Sequence, residues 1–130
     1  MKGLIDIESS DLLQKGLDYS SLPFKLKPTY KIWCIVIRNV ATDEVTSLVL
    51  ADCTKAKLKK ALEDYTEIIG HNIVGFDLPV LSLLGLLDYQ VGYPDQPCTV
   101  FGKNVEITDT LIWSKLLDPD RRGGHSLQEW

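Results

Sequence analysis

Two acidic residues near the start of the chain, Asp6 and Glu8, have the spacing of a metal-binding pair. They lie in the mainly apolar segment Gly3 to Ser9, whose composition predicts a β-strand. Side chains alternate between the two faces of a strand, so both carboxylates are expected on one face. Two like charges side by side are costly unless they share a cation or a proton. Hard divalent cations such as Mg²⁺ and Mn²⁺ prefer oxygen ligands, so the pair predicts a metal site.

A second candidate segment runs from His71 to Leu81 (HNIVGFDLPVL). It follows a predicted short strand and leads into a predicted helix over Leu78 to Leu87, with Pro79 suited to the first helical turn. Asp77 then lies near the helix N-terminus, where the helix dipole favours a carboxylate. Turn formation and helix capping are an alternative role for Asn72 and Asp77. For His71, a hydrogen-bonded core histidine is the alternative to a ligand.

The elements that must position these residues are predicted from hydrophobic periodicity and turn signals. Three strands come early, then a helix capped by Thr54, then alternating strands and helices. Segments with prolines, glycines or serines, 11–29 and 88–102, are predicted to be loops. Beyond the elements already named, the predicted strands are Lys31 to Val40, Glu44 to Ala51, Glu67 to His71 and Asn104 to Thr108, and the helices are Lys55 to Tyr65 and Asp109 to Leu117.

Composition limits the class of protein. The chain has 130 residues, 45% of them hydrophobic, which is the size of one globular domain. Its net charge of −4 excludes binding of nucleic acid through bulk positive charge, so contact with a polyanion must be local or metal-mediated. Cys34, Cys53 and Cys98 have no zinc-site spacing and are expected to be reduced thiols. The sequence shows no signal peptide or membrane-spanning run, which predicts a soluble, cytoplasmic protein without membrane partners.

The two acidic motifs, D-x-E at Asp6 and N-x-x-x-F-D at Asn72, occur together with Ile107 to Leu111 and His125 to Trp130. This combination resembles the DEDD (DnaQ-like) superfamily of 3′-to-5′ exonucleases. More specifically, it is similar to the N-terminal proofreading exonuclease domain of phage-type family A DNA polymerases. The resemblance extends from residue 3 to residue 130 and implies one α/β domain over 1–130. The implied fold is ribonuclease H-like, a mixed sheet of about five strands flanked by helices.

The resemblance also implies roles for individual residues. Asp6 would bridge two Mg²⁺ or Mn²⁺ ions, Glu8 would bind one of them, and Asp77 would hold the other, with the scissile phosphate between them. The same three acids would therefore be both the metal ligands and the catalytic residues. Asn72 and Phe76 are the candidate substrate-binding residues, although Phe76 is expected mainly to pack the motif. Asp109 and His71 are expected to support the site.

The family's fourth acid belongs to a later motif, and neither Asp118 nor Asp120 fits it, because both flank Pro119 in a turn. Ser126 and Glu129 form a capping box that opens a helix just before the last residue. We therefore expect a C-terminally truncated domain with weak or no activity as an isolated chain. The expected partners are the 3′ end of single-stranded DNA and possibly the remainder of a DNA polymerase. Self-association through the end at Trp130 is also expected, since that residue would leave apolar surface exposed.

Two other interpretations stay open. The chain could be a catalytically inactive module of the same fold that binds a polymerase or nucleic acid partner. It could instead be a nuclease that acts on RNA ends, since only RNA presents the 2′-hydroxyl. Stabilisation by a divalent metal would distinguish the exonuclease from the inactive module. A comparison of DNA and RNA substrates would distinguish it from a nuclease that acts on RNA. If phage-encoded, the protein would work in the cytoplasm of the host cell.

Overall fold

The computed structural model describes residues 1–10, 16–20, 25–92 and 97–117. Within these ranges the chain is an α/β protein with a seven-stranded mixed sheet, three α-helices and a separate two-stranded ribbon. The strands are β1 (Lys2–Ser9), β2 (Leu17–Asp18), β3 (Lys25–Leu26), β4 (Ile32–Asn39), β5 (Val45–Val49), β6 (Glu67–Gly70), β7 (Tyr89–Gln90), β8 (Cys98–Val100) and β9 (Lys103–Asp109). The α-helices are α1 (Lys55–Leu62), α2 (Leu78–Leu83) and α3 (Thr110–Leu117). A 3₁₀ turn at Leu50–Asp52 and a π-helical turn at Ile73–Asp77 complete the described elements.

The sheet has the strand order β5-β4-β1-β6-β9-β8-β7. Strands β5, β4 and β1 are antiparallel neighbours, whereas β1, β6 and β9 run parallel. Parallel neighbours need crossover connections, and these are supplied by α1 between β5 and β6 and by the segment containing α2 between β6 and β9. As a result, the carboxyl ends of β1, β6 and β9 lie at the same end of the sheet.

One face of the sheet carries the hydrophobic core. In β1 the odd-numbered residues Ile5 and Ile7 are buried, whereas the even-numbered residues are exposed, including 39% of Leu4. Helices α1 and α2 contribute buried leucines to the same core because their apolar residues recur at helical spacing. The core residues from these elements are Ile5, Ile7, Ile35, Ile37, Leu48, Leu58, Leu62, Ile68, Leu78, Val80 and Leu81.

Several sequence predictions are confirmed. Thr54 caps α1 by accepting a hydrogen bond from Lys57 N–H, and Pro79 lies in the first turn of α2. The strands around Asp6, the Lys31 to Val40 run and Glu67 to His71 are present within one or two residues of their predicted bounds. Cys34, Cys53 and Cys98 are free thiols. No helix in the described part of the chain has the length and apolar character needed to cross a bilayer.

Other predictions need correction. The main sheet has seven strands instead of about five. The two additional strands, β7 and β8, lie inside the segment predicted to be a loop, and β8 pairs with β7 on one side and with β9 on the other. Helix α2 ends at Leu83, before the predicted Leu87, since Gly85 at φ +73° follows and stops the helix. The segment between β6 and α2 is a π-helical turn. The predictions for Asp118, Asp120, His125, Ser126 and Trp130 lie outside the described residues.

Candidate functional site

The predicted acidic pair lies on strand β1, at the centre of the sheet. Asp6 and Glu8 are exposed on the face opposite the core, as period-two alternation requires. On one side β1 pairs with β4 along its length, with Asp6 opposite Val36. On the other side it pairs with β6 only from Lys2 to Leu4. The edge of β1 beyond Leu4 therefore faces the segment that follows β6.

That segment brings Asp77 to the edge of β1. After Gly70 the chain turns through Asn72, which has left-handed backbone angles of φ 57° and ψ 30°, into the π-helical turn that ends at Asp77. The Asp77 side chain is buried, and its Oδ2 accepts a hydrogen bond of 3.2 Å from the N–H of Ile7. Ile7 is the residue between Asp6 and Glu8. The structure thus joins the two predicted motifs, which are 70 residues apart, at one point of the sheet.

The electrostatics of Asp77 reflect this position. Its pKa is raised from 3.8 to about 7, first by burial and next by the nearby carboxylate of Asp6, with a smaller contribution from Asp109 and against the lowering effect of main-chain hydrogen bonds such as the one from Ile7. No described lysine, arginine or histidine forms an ion pair with Asp6, Glu8 or Asp77. The acids at this point therefore share negative charge that the described cationic side chains do not balance. A proton on Asp77 or a bound cation would relieve it.

Asp109, at the carboxyl end of β9, has a different environment. Its Oδ1 accepts hydrogen bonds of 2.9 Å from the N–H groups of Asn72 and Leu111, and its Oδ2 accepts one of 3.0 Å from Val74. These contacts hold the turn that leads to Asp77 and cap the start of α3. Asp109 therefore acts on the site through the main chain, by positioning the segment that carries Asp77.

His71 lines an open groove of about 620 Å³ on the outer face of the sheet, together with Asp6, Arg38 and Thr110. Its Nδ1 lies 2.9 Å from Thr110 Oγ1, whereas its buried Nε2 has no hydrogen-bond partner in the described structure. Sequence reasoning missed Thr110 and Arg38. The sequence signal for Thr110 was its position directly after Asp109, which was expected to support the site. The structure adds that Asp109 is the register partner of Gly70 on the neighbouring parallel strand.

The two predicted substrate-binding residues are placed differently from each other. Asn72 is exposed at the turn, while Phe76 is partly buried and packs against the hydrophobic core. Gly70 explains how the turn can approach β1 so closely. A Cβ atom at this position would lie 3.1 Å from the carbonyl oxygen of Ile5 and 2.9 Å from Ile73 Cβ. The turn therefore depends on glycine at the end of β6.

The donor chemistry fits a hard cation, but the side chains are not gathered around one. Carboxylate oxygens are the ligands that Mg²⁺ and Mn²⁺ prefer, and the carboxylate of Asp6 lies close enough to Asp77 to raise its pKa. Among the described residues, however, no three His, Cys, Asp or Glu side chains come together as a set that could hold a metal ion. Glu8 is exposed on the same face of β1 as Asp6.

Comparison with known proteins adds no family assignment. No protein-family model matches the chain, and no curated protein matches it. The case for a function therefore rests on the residues and on the geometry at the carboxyl ends of β1, β6 and β9.

Proposed function

We propose that this chain is a 3′-to-5′ exonuclease domain, or a fragment of one, similar to the proofreading domain of phage-type DNA polymerases. The observation that carries the proposal is the contact between Asp77 and the N–H of Ile7, which brings the second acidic motif against the strand that carries Asp6 and Glu8. Carboxylates from distant segments that meet without a cationic partner are the donor set expected of a divalent-metal nuclease.

The sheet topology supports the ribonuclease H-like fold that we propose for the domain. The sequence predicted three early strands followed by alternating strands and helices. The five strands β5, β4, β1, β6 and β9 have this arrangement, antiparallel at first and then parallel. The candidate acids lie on the interior strand β1 and at the end of the π-helical turn that follows β6, where the parallel part of the sheet begins.

In the proposed activity, Asp6, Glu8 and Asp77 would hold Mg²⁺ or Mn²⁺ against the 3′-terminal phosphodiester of single-stranded DNA. The ions would supply an activated water and would stabilise the negative charge on the leaving 3′ oxygen. The chain's own contribution is to bring the carboxylates together and to keep Asp77 buried. Asp77 must release its proton before it binds a cation, so binding should strengthen as the pH rises through about 7.

We expect the activity of the isolated chain to be weak or absent. The 130 residues supply counterparts for three of the four acids that the resemblance implies. With one carboxylate fewer, the more weakly held of two divalent ions should bind poorly, and hydrolysis should slow steeply. An inactive module of the same fold, which binds a polymerase or nucleic acid partner, is the second candidate. The absence of a metal-binding set of three side chains among the described residues favours it.

A thermal-unfolding experiment with Mn²⁺ at pH 8 distinguishes the two candidates. The exonuclease proposal predicts that the metal raises the melting temperature of the wild-type chain, because a ligand selective for the folded state stabilises it. Asp6→Asn should reduce the increase, while Asp88→Asn, a matched change at an exposed acid outside the site, should keep it. No metal-dependent stabilisation would favour the inactive module.

An exonuclease assay then tests the chemistry. The substrate is a 5′-labelled single strand of DNA, with an RNA strand of the same sequence beside it. We expect slow, Mn²⁺-dependent shortening from the 3′ end that Asp6→Asn abolishes and Asp88→Asn preserves. Robust hydrolysis by the wild-type chain would contradict the expected weakness, and hydrolysis that survives Asp6→Asn would contradict the proposed site.

A further inference from the structure

Strand β5 is an outer strand of the described sheet, and it contains no proline, bulge or charged side chain. It is the first strand in the order β5-β4-β1-β6-β9-β8-β7, so β4 is its only neighbour in the described sheet. Natural sheets protect their edges with prolines, bulges or charged side chains, especially lysine. The sequence of β5 is VTSLV, which contains none of these, and its register with β4 is regular from Val45 to Val49.

The direction of the main-chain groups follows from the hairpin. Asn39 N–H donates a hydrogen bond of 2.9 Å to Glu44 O. The main-chain groups of Glu44 and of every second residue after it therefore point towards β4. Main-chain groups alternate in direction along an antiparallel strand. The residues that point their N–H and C=O groups away from the sheet are therefore Val45, Ser47 and Val49. No described residue hydrogen-bonds to these outward groups.

We propose that this edge pairs with the same edge of a second copy of the chain, as an antiparallel, two-fold symmetric dimer with Ser47 on the axis. Residues whose numbers sum to 94 then face each other, so Val45 lies opposite Val49 of the other copy. Each such pair consists of outward-facing residues, so it can exchange both of its main-chain hydrogen bonds, giving about six in all. A two-fold interface requires self-complementarity, and this strand has it.

The side chains fit the same register. Val45 and Val49 are about half exposed, at 51% and 49%, on the outer face of the sheet. Pairing would place each valine against a valine of the other copy, a favourable combination of β-branched residues. Val45 also lines the open groove that contains His71, where it lies beside the apolar residues Leu4, Val36 and Ile69. The second copy's Val49 would extend that apolar surface across the junction.

The charges that flank the strand do not oppose this pairing. Asp43 forms an ion pair of 3.3 Å with Arg38, and Asp52 forms one with Lys57. In the proposed register Glu44 faces Leu50 of the other copy, and Asp43 faces Ala51, so no acid lies directly opposite another acid. Like charges in directly opposite positions would be destabilising. The sheet edge is therefore uncharged from Val45 to Val49, and the aspartates near its ends are paired with cationic side chains.

Sedimentation analysis over a range of protein concentrations tests the dimer. The wild-type chain should show a monomer–dimer equilibrium. Ser47→Lys should weaken it by roughly tenfold or more, because it places two lysines opposite each other on the axis. Ser82→Lys makes the same change at an exposed position of α2 and should leave the equilibrium unchanged. Circular dichroism checks that each variant folds.

Three results would overturn the proposal: a wild-type chain that stays monomeric at its highest soluble concentration, equal weakening by Ser82→Lys, or dimers lost in Leu116→Lys but kept in Ser47→Lys. The last result would place the interface on α3, where Leu116 is 77% exposed.

Disulfide crosslinking tests the register itself. Two residues at position 47 would have Cα atoms about 5.5 Å apart, within the range of a disulfide. Two residues at position 45 would be about 13 Å apart along the strands. Under mild oxidation Ser47→Cys should form a covalent dimer, whereas Val45→Cys should match the wild-type background set by the native thiols. Equal crosslinking of both variants would contradict the register.

Discussion

Two buried aspartates, Asp77 and Asp109, lie at neighbouring points of the sheet but are held in opposite ways. They are 3% and 5% exposed, respectively. Asp109 accepts three main-chain hydrogen bonds, from Asn72, Val74 and Leu111, whereas among the described residues the Asp77 side chain accepts one from another residue, Ile7. Several N–H donors fix the position of a buried carboxyl group, whereas burial beside another acid raises the pKa of Asp77. Asp109 therefore stabilises the fold, whereas Asp77 is the one that a cation could reach in the proposed site.

The largest expected loss of stability comes from removing Asp109, the aspartate with three main-chain hydrogen bonds. Asp109→Ala would leave three main-chain N–H groups without their acceptor, at about 1–3 kcal/mol for each group that stays buried. We expect the free energy of unfolding to fall by about 4 kcal/mol in a urea titration. Asp88→Ala, at an exposed acid, is the control. A loss as small as the control's would show that Asp109 does not hold the turn.

The pH dependence of stability tests Asp77. Its pKa is raised from 3.8 to about 7 in the folded protein, so the folded state keeps a proton that the unfolded state releases in this range. The free energy of unfolding should therefore fall as the pH rises from 4 to 7, by about 3 kcal/mol in total. Asp77→Asn has no proton to lose, and its side-chain oxygen can still accept from Ile7.

We accordingly expect Asp77→Asn to be about as stable as the wild type near pH 4 and more stable at pH 8 by about 3 kcal/mol. Urea titrations at several pH values measure both curves. If the curves ran parallel across this range, Asp77 would not carry the raised pKa.

Substitutions in the turn that leads to Asp77 should reduce the stability of the fold by a smaller amount. Asn72 has a positive φ of 57°, a conformation that asparagine and glycine tolerate better than alanine. Asn72→Ala should cost about 1 kcal/mol, whereas Asn72→Gly should cost much less. Thermal unfolding of the two variants gives the comparison. Equal costs would indicate that the Asn72 side chain, and not its backbone angles, stabilises the turn.

The smallest expected effect concerns the charge of Asp6. Its carboxylate raises the pKa of Asp77, so Asp6→Asn should lower that pKa towards its ordinary value, with burial still holding it above 3.8. A carbon-detected NMR titration of the Asp77 carboxyl group measures the change. An unchanged pKa would mean that the two acids do not share one site.

Much of the sheet could be predicted because its strands are rich in β-branched residues, as in β1, β4 and β6. The hairpin of β7 and β8 was missed because its short strands lie among residues that usually form turns, such as Gly92, Pro97 and Gly102. Gly102 has a positive φ and forms the turn between β8 and β9. Such short strands are stabilised by their neighbours in the sheet, which local sequence does not reveal.

The candidate site was predictable to a similar extent. Period-two alternation places Asp6 and Glu8 on one face of β1, as the structure has it. That face of the strand is exposed, whereas the opposite face, with Ile5 and Ile7, is buried. The approach of Asp77 to Ile7 depends on where the pairing of β1 with β6 ends, at Leu4. That end point is a tertiary feature, set by the packing of the turn after Gly70.

The most direct test of the central claim is a Mn²⁺ titration at pH 8, followed by electron paramagnetic resonance of the free ion. We predict that the wild-type chain binds Mn²⁺, and that Asp6→Asn and Asp77→Asn each weaken binding by roughly tenfold or more, while Asp88→Asn binds as the wild type does. Equal binding by all four proteins, or no binding by the wild type, would contradict a divalent-metal site at Asp6 and Asp77.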